Sequence, residues 1–228
     1  MVRGLTRSRG YSCVLMATLL SVNVGRMAAS RHTDTGITGI DKRPSTAPVE
    51  LQDPGPGTGM SGLAGDAIGD PRSHGGTDQA VYAYAREDLD HWQGELGRPL
   101  TNGVFGENLT TSRLDVNGAL VGERWQIGDA CILEVTSPRI PCRTFAGWLE
   151  ERLWVKRFTE RGAPGAYLRV IVPGPVSAGD AITVLHRPAH GVTIAMMFRA
   201  LTTDKVLLPQ LAAAGDALPE LLRRRLVS

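Results

Sequence analysis

Cysteine is scarce in this chain, with three residues in 228: Cys13, Cys131 and Cys142. Three widely spaced thiols build neither a disulfide framework nor a CxxC zinc site. A reducing compartment, the cytoplasm, is the simpler expectation. The chain also lacks a dominant charge, since 25 Lys and Arg against 23 Asp and Glu leave a formal +2. That argues against holding nucleic acid on a broad basic surface. No apolar run approaches the roughly 18 residues that a membrane helix needs. GxSxG, a P-loop, HExxH and the dinucleotide fingerprint are all missing, as are flavin, haem and iron–sulfur motifs. Any redox chemistry would therefore take its electrons from a separate protein.

What is plentiful is turn-forming residues, 27 Gly and 14 Pro, which speaks against a helical bundle. Residues 1–30 admit two readings. Arg3, Arg7 and Arg9 before the apolar stretch 13–24 resemble a secretory signal. Alternatively, a disordered basic extension, 1–15, precedes a first strand at 17–24, with Met16 as a second start. Residues 31–79 read as loops around short strands near 48–51 and 62–68. A helix is expected over 85–96, with Leu89, Trp92 and Leu96 on one face and Gly97 as its C-cap. Strands follow at 124–127 and 130–136 around a Gly128-Asp129 turn. In the second of them Cys131, Leu133 and Val135 share a buried face. After the stiff segment Pro138 to Pro141 a helix should bury Phe145, Trp148, Leu149 and Leu153. Another helix is expected at 154–161, then strands at 166–172 and 181–185 joined by a turn at 178–180. The body is thus mainly β with inserted helices (α+β). From 188 to 228 three short helices are expected, the second disturbed by Pro209. They are too small to hold a core alone and must pack on the body or on another subunit.

Among residues able to do chemistry, Cys142 carries the most information. It stands at an expected helix start between Arg139 and Arg143, where the helix dipole and nearby cations favour the thiolate. An inert cysteine at a helix start fits the same spacing, and both readings stay open. Lys42 and Arg43 beside Pro44, His74 before Gly75 and Gly76, Asn108 in a loop, and Arg169 in a strand are further candidates for holding an anion. Each also has an ordinary explanation as a solvated surface, turn or strand residue. Cys131 reads as a core residue, and His91 as an exposed position on a helix.

Taken in order, several segments carry a family resemblance. They are Gly39-Ile40-Asp41-Lys42-Arg43-Pro44, His74-Gly75-Gly76 with Ala80-Val81-Tyr82-Ala83-Tyr84, and Phe105-Gly106-Glu107-Asn108-Leu109-Thr110. To these add Pro138-Arg139-Ile140-Pro141-Cys142, Val155-Lys156-Arg157-Phe158 and Gly165-Ala166-Tyr167-Leu168-Arg169. Together they resemble the MOSC family, named for the C-terminal domain of molybdenum cofactor sulfurases. The tail resembles the three-helix domain of its bacterial subgroup linked to resistance against 6-N-hydroxylaminopurine. The resemblance implies a MOSC β-barrel over 16–187 and a three-helix domain over 188–228. It also implies a molybdenum–pterin cofactor (Moco) in a cleft, with Cys142 as metal ligand or sulfur carrier. Lys42, Arg43, His74, Gly75, Asn108, Arg139 and Arg169 would hold the cofactor and its phosphate. The implied activity is reduction of small N-hydroxylated bases and related compounds to amines, with a flavin or iron–sulfur protein as electron donor. A cofactor or sulfur carrier without turnover is the alternative, and a homodimer is compatible with either. The family is also generally described as binding pyridoxal phosphate.

Overall fold

The computed structural model describes residues 16–72 and 74–227. The expected extension 1–15, the signal-like segment's basic head, Cys13 and Ser73 lie outside the described residues.

The chain opens with β1 (Thr18–Gly25) and then four short strands: β2 (Ala28–Ala29), β3 (Ile37–Thr38), β4 (Lys42–Pro44) and β5 (Val49–Leu51). β6 (Val81–Ala85) runs directly into α1 (Arg86–Leu96), and β7 (Leu109–Ser112) follows. Next come the hairpin β8 (Arg124–Ile127) and β9 (Cys131–Pro138), then the helices α2 (Arg143–Leu149) and α3 (Trp154–Arg161). β10 (Ala166–Val172), β11 (Gly174–Val176) and β12 (Ile182–His186) complete the strands. The tail holds α4 (Ile194–Thr202), a 3-10 segment (Lys205–Ala217) and α5 (Glu220–Val227).

Eight strands form one mixed sheet in the order β12-β8-β9-β10-β6-β7-β1-β4. Its pairs are antiparallel except β6 with β7, which are parallel, as their connection through α1 requires. The two ends of the sheet approach each other. Thr18 bridges Ala181, and Ile182 N–H donates to the Ala17 carbonyl at 2.9 Å. The barrel is drawn together by this short bridge and has no full ladder at that seam.

β6 shows how the sequence divides the interior. All five of its residues are buried, because successive side chains point to opposite faces and both faces are covered. Val81, Ala83 and Ala85 enter a cluster inside the curved sheet with Trp125, Leu133 and Leu168. Tyr82 and Tyr84 enter an aromatic cluster outside it with Trp92, Phe105, Phe145, Trp154 and Phe158. Helices α1, α2 and α3 supply half of the buried residues of that second layer. Val192, Ile194, Met197, Leu211 and Leu218 of the tail join the first cluster, so the tail buries its apolar face on the body.

Most expected elements are present, with four corrections. Residues 62–68 form no strand, and only Leu63 bridges Leu51. Leu153 does not face inward: it is 70% exposed and adopts a left-handed backbone at the turn into α3. The turn at 178–180 leads from β11 rather than β10, since β11 peels off to pair with β5. The second tail helix is a 3-10 run containing Pro209 and a non-helical Gly215, as a missing N–H donor would favour.

Gly97 ends α1 at φ 64°, the left-handed conformation that glycine adopts without strain. A methyl group there would meet nothing within 4 Å, so substitution tests backbone strain alone. Gly97→Ala should lower stability by about 1 kcal/mol, read as a shift of the urea midpoint with an unchanged slope.

Candidate functional site

The aromatic layer and the loops before β6 enclose a cleft of about 360 Å³. Its wall includes Lys42, Asp66, His74, Asn108, Arg139 and Cys142, together with Tyr82 and Tyr167 from the sheet. These residues are far apart in sequence and are brought together by strand pairing. Tyr82 on β6 stands in register with Tyr167 on β10. Tyr167 in turn stands beside Ser137 near the end of β9. Arg139 therefore leaves the sheet next to both tyrosines, and Cys142 follows three residues later as the N-cap of α2.

Arg139 is 6% exposed. Its guanidinium carbon lies 4.1 Å from the Phe145 ring centre and 5.1 Å from that of Tyr82. One terminal nitrogen donates to the Phe105 carbonyl, while the buried Nε–H has no partner. Among the described residues no carboxylate forms an ion pair with it. A buried charge without a counter-ion is costly. The aromatic bed and the carbonyl reduce that cost, but an unpaired positive group remains at the cleft wall. Cys142, half-buried, is among the groups whose charge would act on it.

Lys42 presents the opposite case. Its Nζ contacts the two carboxylate oxygens of Asp66 at 2.6 and 2.7 Å. Asp66 also accepts from Ser61 Oγ at 2.6 Å, Asn108 Nδ2 at 2.9 Å and the Gly25 N–H at 2.6 Å. Asn108 is itself held through Oδ1, which accepts from the Tyr82 N–H at 3.1 Å. Burial pushes the Lys42 ammonium below its usual pKa against the pull of Asp66, and the nearby charge of Arg139 acts in the same direction as burial. Lys42 thus reaches the cleft with its charge already compensated, whereas Arg139 does not.

His74 lines the cleft beside Gly75. Gly75 has φ 81°, and a side chain there would press into Gly59 and Met60. Burial lowers the His74 pKa, Arg139 and Lys42 lower it further, and Asp70 opposes them. A histidine held neutral by the fold is protonated first in the unfolded chain. The folded state then loses stability as pH falls below about 6.5, until it reaches the lowered folded value. His74→Gln should flatten the fall of the urea midpoint between about pH 7 and pH 5, measured against wild type.

Not every candidate gathers here. Arg43 is exposed, paired with Asp41 at 2.9 Å, and does not line the cleft. Arg169 turns to another surface, where it meets Asp78 at 2.8 Å, Glu134 at 3.5 Å and the Ala217 carbonyl. Its position in β10, two residues beyond Tyr167, offers ion pairing with β9 instead. Cys131 is fully buried, and burial pushes its thiol up to about 12, so it is inert as expected. Asp66, Tyr82 and Tyr167 were not singled out by sequence reasoning, although both tyrosines stand inside the segments that carried the resemblance. Asp66 lies in a stretch read as a strand, where nothing in the spacing marks a buried carboxylate.

No three His, Cys, Asp or Glu side chains cluster tightly enough among the described residues to hold a metal. A metal at Cys142 must therefore bring its other ligands with it. The unpaired Arg139 Nε–H and the half-buried thiol on the same wall suit an anionic group that brings its own metal, so the residues present fit a pterin-borne metal.

The profile of the MOSC domain matches residues 70–183. The uncharacterized protein YflK of Bacillus subtilis is 33% identical over 177 residues, covering 77% of this chain and 76% of YflK. A Gibberella moniliformis protein named Reductase is 28% identical over 198 residues, 85% of this chain but only 34% of that protein. The crystal structure of YiiM from Geobacillus stearothermophilus superposes with a TM-score of 0.72 at 26% identity, covering 92% of this chain and 97% of that one. Among the described residues no helix is long and apolar enough to cross a membrane.

Proposed function

The chain belongs to the MOSC domain family, and from that premise we propose that it is a reductase of N-hydroxylated compounds working with a molybdenum–pterin cofactor held in the cleft. One observation carries the reading: a half-buried thiol and a buried guanidinium without a carboxylate partner share one cleft wall. Thiolate sulfur suits a redox-active metal, and an arginine with free N–H groups suits an anionic one.

In this reading Cys142 Sγ binds the metal. Arg139 donates to an anionic group of the cofactor, while His74 and the Gly75 backbone border it. Lys42, fixed by Asp66, contributes a positioned N–H donor more than a net charge. When bound, the cofactor would supply a two-electron redox centre beside Cys142. The overall balance is R–NHOH plus two electrons and two protons giving R–NH2 and water. The electrons come from a separate flavin or iron–sulfur protein, because the chain carries no motif for either group. The aromatic layer behind Arg139 excludes water from that side, which strengthens each polar contact in the cleft.

The test is elemental analysis of protein made in a host that synthesises the cofactor, followed by assay with an N-hydroxylated substrate and a reduced flavoprotein. About one molybdenum per chain with turnover supports the proposal. Molybdenum without turnover under any donor favours a carrier of cofactor or sulfur. Absence of molybdenum overturns the reductase and the cofactor carrier, and leaves the sulfur carrier only if Cys142 bears a persulfide.

A further inference from the structure

Tyr167 is a polar group on the cleft wall that the reading above leaves without a task. Its side chain is half-buried and faces the cleft. Its ring packs against Tyr82 with centroids 5.2 Å apart, which fixes where the hydroxyl stands. The two phenols differ in one respect. Tyr82 Oη donates to the Pro164 carbonyl at 2.8 Å, so its proton is used by the fold. The Tyr167 hydroxyl makes no hydrogen bond with any described residue. Tyr84, the third phenol of this layer, is likewise committed, donating to the Ala163 carbonyl at 3.1 Å.

Its surroundings narrow what it can do. Arg139 and Cys142 are the two groups whose charge acts on the phenol, and burial raises its pKa. A phenol is an O–H donor at physiological pH. This one lines the same cleft as the thiol assigned to the metal and the cation that would hold an anionic ligand. A donor placed there, and not spent on the protein, needs an oxygen acceptor that arrives with a ligand.

We propose that Tyr167 is the substrate-recognising donor of the cleft, its O–H binding the oxygen of the N–O group and so selecting N-hydroxylated ligands over their amines. This rests on the reductase reading and deepens it. A site with a donor committed to one hydroxyl disfavours the analogue that lacks it, because the donor is then left unpaired. The same preference would help the amine product leave.

The experiment uses molybdenum-loaded protein, oxidised, anaerobic and without electron donor, so that binding is read without turnover. Calorimetric titration compares phenylhydroxylamine with aniline, which differ by the single oxygen. Wild type should bind phenylhydroxylamine about tenfold more tightly, as one hydrogen bond is worth. Tyr167→Phe should bring the ratio to about one to two with molybdenum content unchanged. Tyr84→Phe, whose hydroxyl is spent on Ala163 and whose side chain does not line the cleft, should keep the wild-type ratio even if it loses stability. Three results overturn the inference alone: a loaded wild type that does not discriminate, a Tyr167→Phe protein that still does, or one that has lost molybdenum and so marks Tyr167 as a cofactor residue. A wild type that never carries molybdenum overturns the reductase reading, and this inference with it.

Discussion

Asp66→Ala is expected to destabilise the fold by about 3–5 kcal/mol, the usual cost of removing one partner of a buried ion pair. The Asp66 side chain is 1% exposed and the Lys42 side chain 9%, so water cannot take over the lost contacts. Deletion strands the Lys42 ammonium, the Ser61 hydroxyl, one amide hydrogen of Asn108 and the Gly25 N–H together. Against a total stability of about 5–15 kcal/mol, that loss places the variant near the edge of folding. Urea denaturation followed by tryptophan fluorescence reads the change. The partner experiment fixes its origin. Lys42→Met in the Asp66→Ala background removes the stranded charge and should recover part of the loss, since a buried pair exchanged for apolar groups is often neutral. A single-variant cost below about 1 kcal/mol would mean that the pair is solvated. The idea that Asp66 neutralises Lys42 within the cleft would then be wrong.

That carboxylate also marks where sequence reasoning runs out. Strands and helices with clear periodicity were legible. β8, β9, α1, α3 and β10 carry alternating or helical apolar patterns, and Gly97 and Gly162 both close helices in the left-handed conformation. Cys142 was legible as a helix start because Pro138 and Pro141 precede it and an apolar helical spacing follows. The stretch 31–79 was not. Its backbone is shaped by contacts with distant segments, and periodicity records none of these. A side chain on Gly39 would strike the Ala67 carbonyl, and one on Gly69 the backbone of Thr38. These two strips of loop are therefore pressed together by tertiary packing, and Asp66 directly precedes the second of them. Arg139 and Arg169 looked alike in sequence, each a lone arginine in or beside a strand. Only the packing separates them: Arg169 meets two carboxylates, while Arg139 is laid on aromatic rings and given none. The tyrosines were hidden for a related reason. In a strand buried on both faces alternation no longer marks an outside, so no pattern in the sequence sets Tyr82, which borders the cleft, apart from its neighbours.

The largest functional effect is expected at Cys142. Cys142→Ala should abolish molybdenum retention and reduce kcat/KM for N-hydroxylated substrates by more than about 1,000-fold, roughly 4 kcal/mol of transition-state stabilisation. This loss is separable from any damage to the fold. The thiol is only half-buried. α2 keeps its other anchors, with Phe145 and Leu149 in the aromatic cluster, Trp148 Nε1 donating to the Val104 carbonyl at 2.8 Å, and Arg143 paired with Asp34 at 2.6 Å. Removing one sulfur from such a position should change stability by less than about 1 kcal/mol. The cofactor-free variant and the cofactor-free wild type should therefore unfold at nearly the same urea concentration while differing sharply in metal content after loading. Cys131→Ala is the counter-experiment. That thiol is fully buried in the inner cluster, so its loss should cost about 1 kcal/mol and leave metal content intact. Molybdenum retained in Cys142→Ala would remove the thiol from the metal and with it the reductase reading. Molybdenum lost equally from both cysteine variants would assign the effect to general loosening of the fold.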